Sequence, residues 1–79
     1  MTAIADTTDL AIKLEAYLLA QRARRHAVRV HGTNLIRDRK NMTHATLDAV
    51  NKSRLRLERA YRELDLAKAA YVAAGGSVR

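Results

Sequence analysis

Apolar residues recur along the chain at spacings of three and four, the period of a helix face and not the alternation of a strand. Beyond residue 43 the repeat is regular. Val50, Leu57, Leu64 and Tyr71 return every seven residues, and Ser53, Ala60, Ala67 and Ala74 follow three places behind. One column is large and the other small. Earlier in the chain the same spacing predicts a first helix with Ile12 and Leu19 as its large residues and Ala16 and Ala23 as its small ones. His26 and Val30 extend that stripe. Small residues at alternate seam positions let two antiparallel helices approach closely, the large side chains of one filling the space left by the other. The expected fold is all-α: an antiparallel two-helix hairpin with an Ala-rich coiled-coil seam, forming one domain over residues 1–79.

Capping and breaking residues divide the hairpin. Thr7 or Thr8 is the expected N-cap of a helix over 9–31, and Gly32 its C-terminal cap. The stretch "GTNLIRDRKN" reads as part of a basic linker over 32–42. The second helix is expected over 43–74, with "GGS" ending it and a frayed tail over 75–79.

A second apolar stripe, Leu10, Leu14, Tyr17 and Leu18, remains on the first helix, and "LDLAKAAYVAA" near the end of the second is apolar almost all round. A helix apolar on every side has to be covered on every side. The two stretches lie together at the end away from the linker. They predict a homodimer joined there through Leu10, Leu14, Tyr17, Leu18, Leu66 and Ala70, making a four-helix bundle.

Composition supports both expectations. Fifteen alanines and ten leucines with no proline suit helices. A chain of 79 residues makes a small core, and without cysteine it has no disulfide and no thiolate zinc site to reinforce it. Association with another subunit is the remaining staple. The longest apolar run, "AAYVAA" at 69–74, is far short of the ~20 residues that span a bilayer. The first ten residues carry two acids and no base, unlike a secretory signal. The expectation is therefore a cytoplasmic chain without membrane contact.

The net charge of +7 is unevenly placed. Residues 1–20 sum to −2 and residues 41–79 to +3, where Asp48–Lys52, Arg54–Glu58–Arg62 and Arg59–Glu63 form pairs at helical spacing. Residues 21–40 sum to +6, with Arg22, Arg24, Arg25, Arg29, Arg37, Arg39 and Lys40 against Asp38 alone. Arg22, Arg25 and Arg29 fall on one helix face. If 32–42 is a linker, all seven bases crowd one tip of the molecule. One or two cations satisfy a helix dipole; seven exceed that need. Guanidinium groups hold carboxylates and phosphates bidentately, so the tip is expected to bind an acidic protein surface or, as the alternative, nucleic-acid phosphates. No helix-turn-helix, zinc finger or basic-region zipper is present to read bases.

Catalysis finds little support. There is no thiol, Ser53 and Ser77 have no base at suggestive spacing, and no glycine-rich loop leads into a helix. His44 and Asp48, with His31 near the turn, are too few for a zinc site. The expectation is a non-enzymatic interaction or regulatory module with no metal, cofactor or small-molecule substrate.

Overall fold

The computed structural model describes residues 2–77, with side chains from residue 8 onward. Two helices, α1 (Thr2–Asn41) and α2 (His44–Ala73), fold into an antiparallel hairpin measuring 60 × 17 × 15 Å. No strand occurs among the described residues. Tyr17 meets Tyr71, His31 meets Ser53 and Asp38 meets Thr46, so the partners converge steadily toward the turn.

The turn is Met42–Thr43, and the expected linker over 32–42 is helix almost throughout. Gly32 costs about 1 kcal/mol in a helix interior, yet α1 passes through it without interruption. Three side chains beyond that point tie α1 to α2. His31 Nδ1 lies 2.8 Å from Ser53 Oγ, Asn34 Nδ2 donates to the Ala49 carbonyl at 3.3 Å, and Thr46 Oγ1 donates to Asp38 Oδ1 at 2.7 Å. No proline stands in the way. At the other end, α1 is already helical at residues 7 and 8, where the N-cap was expected; the Thr7 side chain lies outside the described residues.

Each helix end has its own stop. Met42 adopts φ 49° and its N–H donates to the Asp38 carbonyl at 2.7 Å, the single-bond left-handed termination. Thr43 then caps α2: its hydroxyl accepts from the Thr46 N–H at 3.1 Å, while Thr46 Oγ1 accepts from the Thr43 N–H at 3.0 Å. At the far end, the Gly76 N–H donates to the Tyr71 carbonyl at 2.9 Å and the Gly75 N–H to the Val72 carbonyl at 3.0 Å. With Gly75 at φ 101°, this is a Schellman motif. Gly75 and Gly76 are therefore a built stop and not frayed chain; residues 78–79 of the expected tail lie outside the described residues.

The expected seam of α2 is the seam of the structure. Ser53 and Ala60 are buried, and Val50, Leu57, Leu64, Ala67, Tyr71 and Ala74 are half-buried. On α1 the packed stripe lies one residue further along than the expected one. It runs Leu10, Lys13, Tyr17, Ala20, Arg24, Ala27, His31, Asn34, Asp38, and it leaves Ile12, Ala16, Leu19, Ala23 and His26 exposed. Two stripes of identical spacing overlap on α1, and hydrophobicity alone selects the wrong one. The packed stripe carries the groups that answer Ser53, the Ala49 carbonyl and Thr46; one residue earlier the same positions hold Val30, Thr33 and Arg37, with no acceptor for the Thr46 hydroxyl at the place of Asp38.

Candidate binding surface

Because α1 is straight and continuous, the basic cluster is not a tip. Only Arg37, Arg39 and Lys40 lie beside the turn. Arg22, Arg25 and Arg29 sit along the shaft, about 18–28 Å from Asn41 at 1.5 Å per residue. All six are exposed. The seventh base, Arg24, belongs to the seam. It is half-buried, its Nε is shielded without a hydrogen-bond partner, and its guanidinium lies 5.8 Å from the centre of the Tyr61 ring. Arg24 lies at the edge of the seam, over the exposed Tyr61 ring.

Arg22, Arg25, Arg29, Arg39 and Lys40 thus form a track of about 27 Å down the outer side of α1. Asp38, the acid nearest to them in sequence, turns into the seam and accepts from Thr46. The ion pairs of the described residues lie elsewhere: Asp9–Lys13 at 3.3 Å, Asp48–Lys52 at 3.1 Å and Arg54–Glu58 at 3.6 Å. None of them engages the track.

Apolar side chains accompany the bases at the turn. Leu35, Ile36 and Leu47 are exposed there, and Met42 is 83% exposed at the bend itself. Leu35, Ile36, Arg39, Lys40 and Met42 line a shared open depression. The surface near the turn therefore mixes thioether and aliphatic carbon with three cations.

The six residues expected to form one dimer face separate in the structure. Leu10 and Tyr17 lie in the hairpin's own seam, where the Tyr17 ring stacks on Tyr71 at 5.7 Å between centroids and 19° between planes. Leu14 and Leu18 are exposed along one edge of that seam. Leu66 and Ala70 repeat the helical positions of Arg59 and Glu63, which line a groove on the opposite edge. One continuous face does not include all six.

The pairing of His31 with Ser53 brings together a base and a hydroxyl that their separation in sequence does not suggest. Ser53 is only 3% exposed, and its Oγ lies within hydrogen-bond distance of both His31 Nδ1, at 2.8 Å, and the Val50 carbonyl, at 3.0 Å. The pair ties the two helices together. His44 and Asp48 are both exposed, and no group of three His, Cys, Asp or Glu gathers among the described residues. Nor is any helix among them long and apolar enough to cross a membrane.

No protein-family model, curated protein or solved structure matches the chain.

Proposed function

We propose that the protein is a non-enzymatic interaction module that docks the basic outer side of α1 on an acidic surface of a partner protein. The observation that carries this reading is the exposed Arg22–Arg25–Arg29 face, with no acidic residue of the chain engaging it among the described residues. Uncompensated guanidinium groups on a rigid helix are preorganised donors for carboxylates, and their planar forks fix orientation as well as charge.

A protein partner suits this surface better than a phosphate backbone. Leu35, Ile36 and Met42 are exposed among Arg37, Arg39 and Lys40, and a phosphate backbone has little apolar surface to set against them. Protein interfaces combine apolar anchors with arginine and methionine. The predicted contact is an acidic rim around an apolar patch that receives the turn, with further carboxylates reaching the shaft.

The test is the triple variant Arg22→Gln, Arg25→Gln, Arg29→Gln used as bait in host lysate, with and without nuclease. The expected result is a partner retained by the native chain after nuclease, lost by the variant, and released by salt. Thermal stability should remain within about 0.5 kcal/mol of native, because these are exposed surface positions. Capture that disappears with nuclease would assign the surface to nucleic acid. Undiminished capture by the variant would remove the arginines from any binding role.

A further inference from the structure

The incongruity of α1 is that its more apolar stripe is the uncovered one. The packed stripe contains Lys13, Arg24, His31, Asn34 and Asp38. The stripe one residue earlier, Ile12, Ala16, Leu19, Ala23, His26 and Val30, has a single polar member and the same alternation of three and four. Ile12 is 60% exposed and Leu19 is 55% exposed. Further along the same edge, a groove of about 240 Å³ between the helices is lined by Ala23, His26 and Val30 of α1 and by Arg56, Arg59 and Glu63 of α2. A regular apolar seam of this length is the imprint of another helix.

The seam's own symmetry says which helix. Its spacing is palindromic about residue 21: Ile12 and Val30, Ala16 and His26, and Leu19 and Ala23 are equidistant from that point. In an antiparallel pair of identical helices related by a two-fold axis, each residue meets its mirror position in the other chain. Leu19 then meets Ala23 of the second copy, Ala16 meets His26, and Ile12 meets Val30. Each large residue at the centre faces a small one. Along the flank, Glu15 of one copy approaches Arg29 of the other at both ends of the contact. Arg22 meets its own symmetry mate near the axis, a repulsion that the two acid–base approaches offset.

The exposed area is large enough for such a pairing. The chain exposes 6354 Å², whereas a compact monomer of this mass exposes about 4,800 Å². Removing an excess of about 1,600 Å² from each of two chains gives an interface of roughly 3,000 Å² in total, within the range of obligate dimers. Among the described residues only Ala60 is a fully buried apolar side chain and the rest of the seam is half-buried, so the hairpin's own core is small.

We infer that two copies associate through an antiparallel α1–α1 seam of Ile12, Ala16, Leu19, Ala23, His26 and Val30, with the α2 helices closing the same side into four helices. Arg25 and Arg39 lie on the side of α1 turned away from this seam and stay exposed in both copies, while Arg22 and Arg29 flank the contact. The apolar residues of this interface are not part of the arginine track, so its test by Ile12, Leu19 and Val30 variants is separate from the test of what the track binds.

Cysteine chemistry reads the geometry directly, because the native chain has no thiol. Ile12→Cys and Val30→Cys are each oxidised alone, and again after mixing in denaturant and refolding together. A disulfide-linked dimer is expected in the mixture and only a trace in either variant alone, since like positions lie about 27 Å apart in the antiparallel pair. Efficient linkage within each variant alone would mean a parallel pair, and no linkage in the mixture would mean that the seam is not joined to itself; either overturns the inference. Light scattering supplies the second measurement. The native chain should be a dimer at micromolar concentration, Leu19→Asp should be at least tenfold weaker in self-association, and Leu14→Asp, on the other edge, should remain dimeric. A native monomer, or a dimer broken by Leu14→Asp and not by Leu19→Asp, also overturns it.

Discussion

Between Leu10 and Ala20, α1 meets α2 through aliphatic side chains and a stacked pair of tyrosines. Between His31 and Asp38 it does so through hydrogen bonds. At the open end, Tyr17 lies on Tyr71, and the Tyr71 ring packs so closely over Gly76 that a Cβ there would overlap it. At the turn end, Ser53, the Ala49 carbonyl and Thr46 each find a polar partner on α1. The two ends perform different tasks. Apolar contact is tolerant of small shifts in alignment, while a donor and acceptor at 2.7–3.3 Å are not. The polar half sets which residues face one another, and the apolar half supplies more of the attraction.

The contrast can be broken from either side. Stability comparisons are made at one protein concentration, because association contributes to the measured value. The largest loss is expected at the apolar end. Tyr71→Ala removes the ring between Tyr17 and Gly76 and should destabilise by about 2–3 kcal/mol, less than a fully buried aromatic because Tyr71 is half-buried. A loss below ~1 kcal/mol in urea unfolding would mean that the open end contributes little. Near the middle, Ala60→Leu inserts a large side chain at a position that is 7% exposed, and overpacking should cost about 1–3 kcal/mol.

At the polar end, Asp38→Ala removes the acceptor for Thr46 and should cost about 1 kcal/mol. The accompanying sign of lost alignment would be broadened amide resonances around residues 34–49, which Tyr71→Ala should leave sharp. The smallest effect is a gain. A Cβ at Gly32 meets nothing within 4 Å, so Gly32→Ala should raise stability by roughly 0.5–1 kcal/mol through helix propensity. Were Gly32 a left-handed cap before a linker, the same substitution would lower the melting temperature. Its sign decides between the two descriptions of this segment.

The same division explains what could be read without the structure. Along α2 the seam is one unbroken column of Val50, Leu57, Leu64 and Tyr71 with small residues between, so periodicity identifies it. Along α1 two columns compete, and apolar content points to Ile12 and Leu19 because it assigns no value to His31, Asn34 or Asp38 as packing residues. Their worth lies in groups on α2 that are distant in sequence. Gly32 misled for a local reason: it resembles a cap, and its effect depends on whether the chain beyond it has something to hold. That one choice also bent the basic cluster into a tip, where the continuous helix spreads it along a shaft and turns Arg24 toward Tyr61. The exposure of Arg22, Arg25 and Arg29 on a common face follows from helical spacing alone and did not depend on the linker.

The two-residue connection at Met42–Thr43 also governs the order in which the hairpin assembles. Asp38 and Thr46 are separated by 8 positions, Asn34 and Ala49 by 15, and His31 and Ser53 by 22. Each contact shortens the loop that the next must close, and the entropy of closure grows only slowly with length. Folding is therefore expected to zip outward from the turn, with the tyrosine pair joining after the hydrogen bonds. Kinetics should show it: substitutions at Asp38 slow folding, and substitutions at Tyr71 mainly speed unfolding. On that order the alignment is set before the least selective surface is brought together, so the two overlapping stripes on α1 are not expected to exchange places.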